Sequence, residues 1–270
     1  MKAPIKERIV VLRYKRLDET QYREIYDSLT TFMSSSAEVP YVAERLNFPH
    51  ATLPVPTTGE HDPDWAQFKV AIEYNYRFWN QSRTRCVQLF HDYMTVNLIE
   101  NDKRDVPGSH EELFAFFETI LPFISKHRKS FALTSAGIDY FNHLDSAQLA
   151  PYLINNGLQL EITKLFRGDM IGCGIPHAMP VAPLSRRTVY GPDPSVRSQF
   201  PAQLVITINI PNKGPNEKHV DVLFSASGKL SDLSRDNVMK FLEAMHKSVY
   251  DGFCATFSKD LIQKAKEASV

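Results

Sequence analysis

Apolar and polar positions recur along this chain at spacings that mark out strands and helices in turn. Ile9-Val10-Val11-Leu12-Arg13-Tyr14 is a short apolar run rich in β-branched residues and predicts a strand. Asp18 and Gln21 then have the spacing of an N-cap and its reciprocal partner. Tyr22, Ile25, Tyr26, Leu29 and Phe32 follow at helical steps, which predicts a helix over roughly residues 19–34. Strand character returns over residues 68–79, 85–90 and 93–99, with His91-Asp92 as a turn between the last two.

The clearest unit comes next. Ser109 and Glu112 have the spacing of a capping box, and Leu113, Phe116, Phe117, Ile120 and Ile124 line one face of the helix behind them. Pro122 predicts a kink or an end in its last turn. After the basic connection Lys126-His127-Arg128-Lys129, residues 131–144 read as a strand. On it Asp139 and Phe141 share one face and Tyr140 and Asn142 the other.

Residues 146–153 predict a short helix, 158–166 a half-buried strand, and 203–210 with 219–225 a hairpin. A long helix starts near Ser234, its apolar face formed by Val238, Phe241, Leu242, Met245, Val249, Phe253 and Phe257. Thr256 and Ser258 predict a break near its end. Two segments, 37–66 and 167–202, are proline-rich and read as irregular excursions. Adjacent strands joined by short turns imply an α+β fold, with a mainly antiparallel sheet and helices on one face. The expectation is one domain, with two faintly similar halves meeting near residue 150.

Composition narrows the function classes. The 270 residues are enough to bury a sizeable core, and 31 basic residues balance 31 acidic ones. A chain whose main task is gripping nucleic acid or an anionic membrane carries a basic excess, so both are disfavoured. Cys86, Cys173 and Cys254 lie far apart and form no CxxC or Cys/His pattern, so neither a disulfide framework nor a zinc site is expected. No apolar run approaches the length of a membrane span, and the N-terminus has no apolar signal core. The expectation is a cytoplasmic protein without a membrane, metal or cofactor requirement.

Candidate chemistry is sparse. Cys173 and His177 lie four apart in a proline-rich loop with no third orienting group, which reads better as a turn than as a nucleophile and base. His61, Asp62 and Asp64 offer metal-ligand atoms without a second cluster. Tyr140 and Asn142, on one strand face, are candidates for hydrogen-bonding a ligand, or equally for satisfying buried backbone groups. His246 reads as a histidine at the boundary of core and solvent. Arg83, Arg85, Arg186 and Arg187, with Tyr76, Phe78 and Trp79 near the first pair, are candidates for nucleic-acid contact. No recognisable nucleic-acid module accompanies them, and neither a P-loop nor a GxGxxG is present.

Four blocks resemble a sporadically distributed bacterial family known by the placeholder name sporadTIGR. Pro4-Ile5-Lys6-Glu7-Arg8-Ile9-Val10-Val11-Leu12-Arg13-Tyr14 is similar to its opening, and Val87-Gln88-Leu89-Phe90-His91-Asp92-Tyr93 to its central strand and turn. Gly137-Ile138-Asp139-Tyr140-Phe141-Asn142 is similar to a strand that follows a capped helix, and Leu242–His246 through Phe253 to Phe257 to its closing helix. Asp139 stands where members often carry Arg, and the opening has one proline where two are common. The resemblance supplies no catalytic residues and implies a patchy gene distribution that suits defence cassettes and toxin–partner pairs. The expectation is a non-enzymatic binding protein acting through a protein partner. The alternative is a small-molecule or nucleotide sensor, or a small enzyme, with a cavity between the sheet and the C-terminal helix.

Overall fold

The structure is a computed structural model and describes residues 5–35, 41–51, 70–100, 108–154, 159–160, 165–166, 184–192, 199–210 and 219–267. In chain order the strands are β1 (Ile5–Tyr14), β2 (Val42–Ala51), β3 (Val70–Trp79), β4 (Arg85–Leu89), β5 (Tyr93–Ile99), β6 (Leu133–Leu144), β7 (Leu153–Ile154), β8 (Gln159–Leu160), β9 (Leu184–Tyr190), β10 (Gln203–Ile210) and β11 (Val220–Gly228). The helices are α1 (Glu19–Ser34), α2 (His110–Lys126), the one-turn α3 (Ser146–Leu149), α4 (Arg235–Thr256) and α5 (Lys259–Glu267).

Nine strands form one antiparallel sheet in the order β2-β3-β4-β5-β1-β6-β11-β10-β9. The fold is α+β, with helices packed on the sheet and the long C-terminal helix α4 among them. The order has an internal logic. In each half the last strand of a meander returns beside the strand that opened that half: β5 lies against β1, and β11 against β6. The two opening strands pair antiparallel at the centre. A helix, α2 or α4, then closes each half. The same connectivity thus runs outward from β1 through five strands and from β6 through four.

Local chemistry explains where elements begin. Asp18 accepts from the Gln21 amide at 2.8 Å and the Gln21 side chain returns to the Asp18 amide, a complete capping box at α1. At α2 only half of the expected box forms. Ser109 Oγ accepts from the Glu112 amide at 3.2 Å, while the Glu112 carboxylate turns to Arg85 at 3.4 Å. Pro122 is carried inside α2, which runs on to Lys126. Its ring sits on the exposed face, where the hydrogen bond it forfeits is open to water.

Two strands run through the segments read as irregular. β2 pairs with β3 over its full length, with Pro49 opposite Ile72, and β9 pairs with β10. Both are edge strands; β2 carries Pro49, which an edge tolerates, while β9 has no proline and was hidden by the prolines on either side of it. Of the strand expected over 158–166, Gln159–Leu160 is observed and residues 161–164 lie outside the described set.

Alternation sets the core. Val10, Leu12 and Tyr14 on β1, Met94, Val96 and Leu98 on β5, Ile138, Tyr140 and Leu144 on β6, and Val222, Phe224 and Ala226 on β11 all face the helices. Against them pack Tyr22, Ile25 and Leu29 of α1, Leu113, Phe117 and Ile120 of α2, and Phe241, Met245 and Val249 of α4, in one continuous cluster. Among the described residues no helix is long and apolar enough to cross a membrane.

Candidate functional site

Two polar groupings stand out, one on each face of the sheet. On the helix side, Tyr140 projects from β6 toward α4, and its hydroxyl lies 2.8 Å from His246 Nδ1. The His246 ring stacks on that of His110, the first residue of α2, with centroids 3.8 Å apart and planes 12° from parallel. Arg8 of β1 sits over the Tyr140 ring at 5.8 Å and pairs with Glu100 at 3.0 Å. Glu100 also accepts from the Gly108 amide at 2.6 Å, tying the approach of α2 to the central strand.

Burial pushes the Tyr140 phenol up, with the Arg8 charge opposing. Burial also holds the His246 imidazole down at about 4, helped by neighbouring His110 and Arg8 and opposed by Glu111. At neutral pH the pair is therefore an uncharged tyrosine against an uncharged histidine, clamped between two helices and the sheet. It joins elements, with the Tyr140 hydroxyl and His246 Nδ1 spent on one another.

Asn142 shares that face and is fully buried. Its amide nitrogen donates to the Tyr140 and Val222 carbonyl oxygens, both at 3.2 Å, which is the backbone-satisfying role. Its Oδ1 has no hydrogen-bond partner.

The opposite face of the sheet carries a buried polar belt that periodicity alone did not reveal. Register places Cys86 opposite Asn97, Asn97 opposite Ile9, Ile9 opposite Asp139 and Asp139 opposite Ser225, a row across five strands. One step along, Arg77 lies opposite Gln88 and Gln88 opposite Thr95. Thr95 donates to Asn97 Oδ1 at 2.6 Å, and Asn97 Nδ2 donates to Glu7 Oε1 at 2.5 Å. Ser225 donates to Asp139 at 2.5 Å.

Burial raises the Glu7 carboxyl, against the Asn97 hydrogen bond and the Arg77 charge that lower it. Burial likewise raises Asp139, against the Ser225 hydrogen bond and Arg13. The Cys86 thiol is pushed up to about 12, mainly by burial. It is a poor nucleophile at neutral pH.

The four candidate arginines do not converge. Arg83 sits in the β3–β4 turn at φ 55°, exposed, with its guanidinium 5.3 Å from the Trp79 ring centroid. Arg85 is half-buried on the helix side, bound to Glu112 and over the Phe116 ring at 5.5 Å. Arg187 is exposed on β9, opposite Thr207. The Arg186 side chain lies outside the described residues, as do Cys173, His177, His61, Asp62 and Asp64. Six strand spacings separate β4 from β9, roughly 29 Å of sheet, so the two pairs do not form one patch.

Among the described residues no group of three His, Cys, Asp or Glu side chains is placed to hold a metal ion. Comparison with family models, with curated proteins and with solved structures found no match.

Proposed function

We propose that this chain is a non-enzymatic binding protein that holds an extended segment of a protein partner against the open edge of its sheet. The observation that carries the reading is strand β9. It pairs with β10 on one side and ends the sheet on the other. Among the described residues no further strand pairs with its outward side, and a sheet edge of this kind is a template for one. Most natural edges blunt that tendency, yet β9 leaves Val189 50% and Tyr190 41% exposed, beside the exposed Arg187. A partner strand would gain main-chain hydrogen bonds from the edge and specificity from apolar side chains over Val189 and Tyr190. An acidic residue opposite Arg187 would complete the match.

The blocks that resemble the sporadically distributed family point the same way, toward a bacterial defence or regulatory cassette in which the partner is a neighbouring gene product. The alternative ligand cavity under the C-terminal helix has less behind it. The Tyr140 hydroxyl and the Asn142 amide nitrogen are spent within the fold, and at Gly252 helix α4 lies so close to β10 that an added Cβ would sit 2.9 Å from Leu204.

The test is co-expression with the products of adjacent genes, followed by native mass spectrometry. A heteromeric complex should form and should be lost in the double variant Val189→Asp, Tyr190→Asp, whose sites are exposed and whose fold should persist by circular dichroism. A chain that stays strictly monomeric with every neighbour, or a double variant that binds as well as the wild type, would defeat the reading.

A further inference from the structure

The sheet ends in two edges, β2 on one side and β9 on the other. Four large apolar side chains are exposed among the described residues, and three of them sit on these strands. Val42 of β2 is 68% exposed, Val189 of β9 50% and Tyr190 of β9 41%. Single apolar residues on a surface are ordinary, but these are confined to the two places where the ladder of strands stops.

Topology relates the two edges. Every neighbouring pair in the sheet is antiparallel, so direction alternates from strand to strand. β2 and β9 stand first and ninth and therefore run in the same sense. A second copy laid beside the first, helices on the same side, brings its β2 against β9 as a parallel pair. Register then decides which residues share a face. Glu44 lies in the row of Arg77, Gln88 and Thr95, on the face away from the helices. Arg187, which is exposed, lies in the row of Thr207, Leu223 and Phe141 on that same face. One edge thus presents a carboxylate and the other a guanidinium, on the same side of the sheet.

We propose that β9 of one copy takes up β2 of the next, so that the chain assembles head to tail into an open polymer of continuous sheet. This rests on the reading of β9 as a strand-accepting edge and names an occupant for it. With Glu44 of the incoming copy beside Arg187, the joint carries a cross-strand pair of opposite charge. Glu44 is held in place by Trp79, whose Nε1 donates to Glu44 Oε2 at 2.8 Å. On the other face the same step sets Arg45 beside Thr188, so like charges do not face each other directly. Tyr190, the last residue of β9, comes level with Asn47, and the donor that Pro49 lacks falls past the joint. Pairing of β9 with a second β9 would instead crowd Arg186 and Arg187 of both copies into one short ladder. A head-to-tail joint leaves a fresh edge at each end, and strand twist winds the polymer into a screw.

The experiment is sedimentation velocity on the purified full-length protein, from low micromolar to near-millimolar concentration. The weight-average mass should rise continuously past that of a dimer. Glu44→Arg and Arg187→Glu should each weaken association about tenfold or more, because each sets like charges together at the joint. An equimolar mixture of the two variants should restore it, since every joint between unlike copies again opposes acid to base. Glu44→Gln keeps an acceptor for Trp79 while removing the charge, and should weaken association less than Glu44→Arg does. Circular dichroism checks that each variant is folded.

A protein that is monomeric at every concentration overturns the proposal. So does a mass that stops at the dimer, or a mixture that associates no better than its components. A monomeric chain that still captures a neighbouring gene product through Val189 and Tyr190 leaves the partner reading standing and sinks this one alone. Self-assembly without capture of any neighbour does the reverse.

Discussion

His246 sets a pH limit on this fold that its position in the sequence does not announce. In the unfolded chain the imidazole titrates at its ordinary value near 6.5, whereas in the folded protein burial and the neighbouring His110 and Arg8 hold it down at about 4. Between those values the unfolded chain binds the extra proton, so stability rises with pH there. The contribution is fully present above the unfolded value and is lost as pH falls through the folded one. Glu111 opposes the shift without reversing it. Urea unfolding should therefore show a midpoint that declines from neutral pH toward about pH 4, and His246→Gln, which cannot ionise, should flatten part of that decline. An identical pH profile in the variant would remove His246 from the account. Tyr140→Phe should cost about 1 kcal/mol at neutral pH, because it leaves the buried imidazole Nδ1 without its partner.

At the scale of elements, two glycines report how closely neighbouring elements approach. Gly137 of β6 lies beside β11, where an added Cβ would overlap the Ala226 carbonyl oxygen, a backbone atom that cannot step aside. Gly252 of α4 lies over β10, where the Cβ would meet the end of the Leu204 side chain, which can turn away. Gly137→Ala should thus destabilise by about 1–3 kcal/mol, a cost typical of overpacking. Gly252→Ala should come out near neutral, since alanine in a helix interior recovers up to about 1 kcal/mol relative to glycine. Matched denaturant titrations would decide it, and equal costs at the two sites would show that strand and helix yield alike.

For the whole molecule, the seam between the halves lies at the centre of the sheet. β1 and β6 pair along almost their full lengths at the middle of the sheet, and the core beneath them runs without interruption from α1 to α4. A chain divided by such a seam should unfold in one cooperative step, with far-ultraviolet circular dichroism and tyrosine and tryptophan fluorescence tracing coincident transitions. Two separated transitions would mean that each half carries its own stability.

The sequence by itself determined the elements whose signals are local. Three- and four-residue spacing marked α1, α2 and α4, Asp18 with Gln21 capped α1, and alternation along 131–144 placed Tyr140 and Asn142 on the face opposite Asp139. It also held the reason for an α+β fold with helices on one side. Only the tertiary structure decided the rest. β2 was hidden because Pro49 mimics a loop while an edge strand tolerates it, and β9, itself free of proline, because prolines flank it on both sides. The stack of His110 on His246 joins residues on two helices far apart in the chain, and the Tyr140–His246 contact spans 106 residues. The belt from Arg77 and Cys86 through Asn97 to Asp139 exists only because strand order and register align residues from separate strands. Side-chain period is a property of neighbours in the chain; register is a property of strands that meet after long loops close, and no local spacing records it.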